Sequence, residues 1–137
     1  MALIVDAGPL YAYVDEDDQD HVACLSLLEN DPGPLRVPQL VVSEVAYLLE
    51  TRLGPDAEIR FLGDLSAGNL IPEPVHANDW IRIAELVSRY RDLPLGTVDA
   101  SVVAAAERLG ITRIATLDHK HFRVVRPAHT RSFEIFP

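Results

Sequence analysis

Short apolar segments alternate with longer segments of helical periodicity along the 137-residue chain, and this alternation constrains the fold most strongly. The strand candidates are residues 2–6, 35–37, 69–75, 112–116, 122–125 and 132–136. The helix candidates are residues 9–14, a segment that follows residue 20, and residues 38–53, 55–67, 77–92 and 97–109. Strands that alternate with helices predict an α/β fold with a mostly parallel sheet and helices on both faces.

The length fits one domain over residues 1–137, and neither a linker nor an internal repeat divides the sequence. The lone cysteine, Cys24, lies in an apolar helical pattern, so it is interpreted as a small core residue of a cytosolic protein. The N-terminal residues do not resemble a signal peptide, and no apolar run reaches the roughly 20 residues of a membrane span. A cytoplasmic location is therefore expected.

The formal net charge of −9 is distributed unevenly along the chain. Residues 1–79 contain 15 acidic and 3 basic side chains, whereas residues 80–137 contain 6 acidic and 9 basic side chains. The overall acidity argues against a protein that coats nucleic acid regardless of sequence. The overall acidity does not exclude a local basic face on residues 80–137. The alternative is that these charges only keep the surface solvated.

Two aspartates follow short apolar strands at their carboxyl ends. Asp6 ends the first strand candidate, and Asp118 ends the segment Ile-Ala-Thr-Leu-Asp. Ligands bind at the carboxyl ends of strands in open parallel sheets, so both side chains are site candidates. The alternatives are a helix cap at Asp6, before the helix that Pro9 favours, and a turn-forming aspartate at Asp118.

Two further acids lie in apolar helices. Glu44 is too far inside its helix to cap it. The alternative is that it lies on a narrow solvent-facing stripe with Ser43, Tyr47 and Glu50. Asp99 lies in the first turn of a helix that Thr97 is expected to cap, where a carboxylate also complements the helix dipole. The residues that follow Asp99 are apolar all round, which predicts a core helix.

Parallel strands would bring these four acids to one rim. Carboxylates ~5 Å apart repel by ~3 kcal/mol per pair at an effective dielectric constant of ~20, so such a cluster requires a cation or shared protons. An all-oxygen ligand set suits Mg²⁺ or Mn²⁺, and the sequence has no zinc-ligand spacing. The interpretation at this stage is a divalent-metal site.

The segments L-P-L-G-T-V-D-A, ending at Ala100, and A-T-L-D-H-K-H-F, ending at Phe122, resemble PIN domains over the whole chain. The size and the ending S-F-E-I-F-P resemble the VapC toxins of bacterial toxin–antitoxin pairs. The resemblance implies a PIN-like three-layer α/β/α sandwich with a four- or five-stranded sheet. It also implies an Mg²⁺-dependent endoribonuclease, with Mn²⁺ as a substitute, that forms homodimers and binds a VapB-like antitoxin.

The same resemblance assigns residues to the site. Asp6 and Asp99 are expected to be the main metal ligands, Glu44 and Asp118 the outer or second-metal ligands, and the Thr116 hydroxyl a supporting group. The chain departs from many relatives after the first aspartate, where Ala7-Gly8-Pro9 replaces a serine or threonine. Gly8 there would let backbone or a phosphate approach closely.

Three alternatives remain at this point. His119 and His121 beside Asp118 would serve as acid and base in metal-independent RNA cleavage, although exposed loop histidines usually have no such role. A phosphoryl-accepting signalling domain needs an acidic pair after the first strand, and Asp6 has no acidic neighbour. A catalytically inactive binding module would retain the fold without the chemistry.

Overall fold

The computed structural model describes all 137 residues and contains one five-stranded, fully parallel sheet. Its strands are β1 (Leu3–Val5), β2 (Leu35–Pro38), β3 (Ile71–Glu73), β4 (Arg113–Ala115) and β5 (Glu134–Phe136). They lie in the order β3-β2-β1-β4-β5. The predicted α/β fold with a parallel sheet is confirmed.

Seven helices connect and flank the strands. They are α1 (Ala7–Val14), α2 (His21–Asn30), α3 (Gln39–Arg52), α4 (Pro55–Ala67), α5 (Asp79–Arg89), α6 (Thr97–Leu109) and α7 (His119–Val124). Helix α1 packs against α2 and α3, α3 also packs against α4, and α5 packs against α6. No helix is both long enough and apolar enough to cross a bilayer.

The strand order creates a crevice between β1 and β4. From β1 the chain proceeds outward through β2 to β3, then returns to β4 on the other side of β1 and ends at β5. Connections therefore leave the carboxyl ends of β1 and β4 in opposite directions. This switch point is where open α/β sheets bind their ligands.

Helix α6 contains the longest uninterrupted run of buried residues in the fold. All residues from Ala100 to Ala106 are buried, and the left-handed Gly110 ends the helix with a φ of 68°. The predicted bounds of α4 and α6 agree with the structure, but Gly96, rather than Thr97, precedes the first turn of α6. The prediction that Asp99 begins a core helix is confirmed.

The opposite end of α6 is fixed by an ion-pair cluster. Arg108 donates to Glu73 at 2.8 Å and to Asp79 at 3.1 Å, and both carboxylates are buried. Arg36 on β2 also pairs with Glu73, at 3.2 Å. These contacts join β2, β3 and the start of α5 to the last turn of α6. They anchor the helix whose other end carries Asp99.

The strand predicted at residues 122–125 is wrong, because these residues lie in or directly after helix α7. Phe122 and Val125 are both buried, and a short apolar run of this kind has no periodicity that separates a strand from a helical turn. The deciding contact is a cap, since the Asp118 carboxylate accepts the backbone N–H of His121 at 3.1 Å.

Two other helices differ from their predicted bounds. Helix α1 begins at Ala7, two residues before Pro9, because Asp6 caps it. Helix α5 covers Asp79–Arg89 instead of 77–92. The helical pattern predicts Trp80, Ile83, Ala84 and Val87 on one face, and these side chains do line one groove, in which Trp80 is 49% exposed. Cys24 is fully buried, as predicted.

Candidate functional site

The four acids predicted from the sequence meet in one open cleft at the carboxyl ends of β1 and β4. Asp6, Glu44, Asp99 and Asp118 line this cleft, whose volume is about 450 Å³, together with Ala7, Gly8 and Leu117. The residues come from four different parts of the chain: the start of α1, the middle of α3, the first turn of α6 and the turn before α7. We call this set of four side chains the acidic cleft.

Asp6 combines the two roles that the sequence left open. It follows β1 directly, is only 7% exposed, and accepts the backbone N–H of Ala7 at 2.8 Å, so it caps α1. Its other carboxylate oxygen accepts the Thr116 hydroxyl at 2.9 Å and belongs to the cleft. The side chain is therefore held in one orientation by two donors.

Thr116 connects the two aspartates that follow strands. Its fully buried hydroxyl donates to Asp6 and accepts the backbone N–H of Asp118 at 3.0 Å. Because one hydroxyl satisfies both groups, it fixes the end of β4 relative to the end of β1. Thr116, the supporting residue expected from the resemblance, therefore contacts both Asp6 and the backbone of Asp118.

The imidazole of His121 lies close to the carboxylates of both Asp118 and Asp99. His121 Nδ1 contacts the Asp118 carboxylate and lies 3.7 Å from Oδ2 of Asp99. One ligand atom from each of the three residues lies within 4.8 Å of the others, a spacing that suits a shared metal ion. The signal in the sequence is the spacing of Asp118 and His121, which a helix cap brings together and a loop does not.

Glu44 and Asp99 enter the cleft from neighbouring helices. Glu44 is the most exposed of the four acids and lies on the solvent-facing side of α3, as its alternative interpretation required, yet that side borders the cleft. Asp99 is three-quarters buried as a side chain and lies where the α6 dipole is positive. Glu44 therefore both faces solvent and lines the cleft, and Asp99 both complements the α6 dipole and lines the cleft.

Burial and mutual repulsion raise the pKa values of three of the four acids. Burial, followed by repulsion from Asp6 and Asp118, raises the pKa of Asp99 from 3.8 to about 6. Burial also raises the pKa of Asp6, against the opposing hydrogen bonds from Ala7 and Thr116. Desolvation and then Asp6 raise the pKa of Glu44. No lysine or arginine pairs with any of the four, and His121 is the one basic partner, so the cleft has the charge that a divalent cation would neutralise.

The structure explains why glycine occupies position 8, which the sequence did not indicate. A Cβ atom at this position would lie 3.2–3.3 Å from three side-chain carbons of Leu117, closer than most real contacts. The glycine lets the start of α1 pack against the turn that carries Asp118. The close approach expected at Gly8 is therefore made by a leucine side chain of the same chain.

Comparisons with known proteins agree with this geometry. The family model described as PIN domain matches residues 3–127. The chain is 34% identical over 135 residues to ribonuclease VapC26 of Mycobacterium tuberculosis, an alignment that covers 98% of this chain and all of that protein.

Two solved structures share the fold. The sarcin–ricin loop cleaving toxin VapC20 of M. tuberculosis superposes with a TM-score of 0.82 at 21% identity, covering 95% of this chain and 99% of that chain. VapBC2 of Rickettsia felis, bound to a DNA fragment from its promoter, superposes with a TM-score of 0.71 at 16% identity, and both chains are fully covered. On the family match, the curated relative and the shared fold, this chain belongs to the PIN domain family.

Proposed function

We propose that the chain is a divalent-metal-dependent endoribonuclease and the toxin component of a VapBC-type toxin–antitoxin pair. One observation carries the proposal, namely that four carboxylates meet in one cleft with no lysine or arginine to neutralise them. The 34% identity to a named ribonuclease supports RNA as the substrate class. The proposal treats residues 1–137 as one PIN-like domain that acts in the cytoplasm.

The donor set fits Mg²⁺, with Mn²⁺ as a substitute, because it consists of carboxylate oxygens with a single imidazole beside them. A bound ion would supply a water of lowered pKa and stabilise the charge that develops on the phosphate. We assign Asp6 and Asp99 as main ligands and Glu44 and Asp118 as outer or second-metal ligands. The chain's own contribution is orientation: Ala7 and Thr116 hold Asp6, and His121 holds Asp118.

The structure argues against metal-independent cleavage by a pair of histidines. That mechanism needs an acid and a base at the scissile bond. His121 reaches the acidic cleft, but Nε2 of His119 is buried without a hydrogen-bond partner and does not line the cleft. The signalling alternative also lacks support, since the residue that follows Asp6 is Ala7.

The ends of the RNA products test the proposal. In-line attack by a metal-activated water leaves a 5′-phosphate and a 3′-hydroxyl, whereas attack by the ribose 2′-hydroxyl leaves a 2′,3′-cyclic phosphate. We expect cleavage in Mg²⁺ or Mn²⁺, no cleavage in EDTA, and 5′-phosphate ends, measured by end-labelling of the products. Cyclic phosphate ends formed in EDTA would contradict the metal-dependent reaction.

The VapB-like antitoxin is the partner that the proposal requires. The negative charge of the acidic cleft and of residues 1–79 suits a basic peptide whose arginine or lysine pairs with Asp6 or Asp99 and blocks the metal position. We expect Asp99→Asn to weaken the toxin–antitoxin complex measurably, with a smaller loss at high salt, in titration calorimetry. An unchanged affinity in that variant would remove this mode of inhibition and leave the nuclease assignment intact.

The homodimer stays a prediction that light scattering on a sizing column checks.

A further inference from the structure

Most of the basic side chains of this acidic protein form no ion pair. Of its twelve arginines and lysines, four are held in salt bridges: Arg36, Arg82, Arg108 and Arg113. The other eight are Arg52, Arg60, Arg89, Arg91, Lys120, Arg123, Arg126 and Arg131. Six of these eight lie in residues 80–137, so the positive charge of that segment is largely free to meet an external anion.

Helix α7, which Asp118 of the acidic cleft caps, carries two of the unpaired cations. The helix begins at the Asp118 cap, and Phe122 is buried against the core. Lys120 and Arg123 are exposed and, three residues apart, lie on the side of α7 opposite to the buried residue. The exposed face of α7 therefore leads away from the cleft as a basic surface.

A hydrogen bond extends this surface to the end of α5. The hydroxyl of Tyr90, directly after α5, accepts the backbone N–H of Arg126 at 2.9 Å. Arg89 and Arg91 flank Tyr90 in sequence and are exposed, and the Arg91 guanidinium donates only to the carbonyl and hydroxyl of Ser88. The exposed acid beside them, Asp92, makes no salt bridge with any of these cations. We call Lys120, Arg123, Arg126, Arg89 and Arg91 the basic strip.

An acidic nuclease has to hold a polyanion next to carboxylates that repel it. A metal in the cleft would compensate that repulsion at the scissile phosphate only, and the flanking phosphates need cations of their own. Residues 1–79 offer no such surface, since they contain 15 acidic and 3 basic side chains, and Arg36 is already paired. The basic strip offers five unpaired cations and starts at the edge of the cleft.

We propose that the basic strip, Lys120–Arg123–Arg126 continued by Arg89 and Arg91, binds the phosphates of the RNA next to the scissile bond and sets the direction in which the strand leaves the cleft. The inference rests on the proposed ribonuclease function. Phosphate contacts position a nucleic acid without reading its sequence, so the strip governs affinity and register, whereas the acids of the cleft govern the chemistry.

The test is a triple variant, Lys120→Gln with Arg123→Gln and Arg126→Gln, assayed in Mg²⁺ on an RNA that the wild-type chain cleaves. We expect KM to rise about 10- to 100-fold and kcat to stay within about threefold. The slope of log(kcat/KM) against log[NaCl], measured between ~50 and 200 mM, should become less steep by about 2. Arg60→Gln is the matched control, because Arg60 is an exposed, unpaired arginine on α4. It is expected to leave KM unchanged.

Several outcomes would overturn the proposal. An unchanged KM in the triple variant, or an equal rise in Arg60→Gln, removes the basic strip from RNA binding while the nuclease assignment stands. If the wild-type chain cleaves no RNA, the proposed function fails, and fluorescence anisotropy with labelled single-stranded RNA in EDTA still tests the strip, because equal affinity of wild type and variant contradicts it. Binding to phosphatidylglycerol vesicles that the triple variant loses, with RNA cleavage unchanged, would assign the strip to a membrane surface instead.

Discussion

Asp99→Asn is expected to reduce RNA cleavage at least ~100-fold in saturating Mg²⁺, because the amide keeps the shape of the side chain but removes a negatively charged metal ligand. Such a loss corresponds to about 3 kcal/mol of transition-state stabilisation, which is the scale of one metal-ligand or oxyanion contact. The measurement is the initial rate on an RNA that the wild-type chain cleaves. Asp6→Asn should act in the same direction.

The matched control for this substitution is Asp17→Asn. Asp17 is an exposed aspartate that forms no salt bridge and lies outside both the acidic cleft and the basic strip, so its charge should not affect the rate. Circular dichroism establishes that each variant is folded. Full activity of Asp99→Asn at any Mg²⁺ concentration would exclude Asp99 from the catalytic residues.

The same substitution should stabilise the protein when metal is removed. Because the folded state raises the pKa of Asp99 from 3.8 to about 6, it binds more protons than the unfolded state between these values. The contribution of Asp99 to the free energy of unfolding therefore falls as the pH rises from about 4 to about 6, by at most about 3 kcal/mol. In EDTA at pH 7.5, Asp99→Asn should be more stable than the wild type by about 1–3 kcal/mol, and the two should converge below about pH 4.

Thermal melts of the two proteins across this pH range measure the difference directly. Asp15, Asp31 and Glu107 have lowered pKa values, so their protonation in acid destabilises the fold. Both proteins contain these three groups, so their contributions cancel in the difference between the two melting temperatures. Mg²⁺ should reverse the order at pH 7.5, since a ligand of the folded state raises its stability by linkage and the variant binds it less well. A wild type and variant with equal melting temperatures in EDTA at every pH would contradict a cluster of repelling carboxylates.

The acidic cleft could be predicted from the sequence because each of its acids stands out against its immediate neighbours in the chain. An aspartate directly after an apolar strand reports the end of that strand, and Glu44 and Asp99 interrupt helices whose apolar pattern is otherwise plain. The parallel sheet then follows from the alternation of elements. The order β3-β2-β1-β4-β5 does not, because it depends on contacts between segments far apart in the chain.

The features that escaped prediction share another cause. His121 belongs to the cleft only because residues 119–124 form a helix capped by Asp118, and a run of six residues carries too little periodicity to show this. Gly8 is explained by Leu117, more than 100 residues away in the chain.

The burial of α6 has a consequence for which parts of such an enzyme tolerate substitution. Asp99 is carried by a helix that is buried at every position from Ala100 to Ala106, so any change of volume there disturbs the core and displaces the carboxylate. The exposed side chains of α7 and of the α5 terminus tolerate replacement without such a penalty. Substitutions on that surface thus change the affinity for RNA and its register in the cleft, while the reaction centre is inherited unchanged.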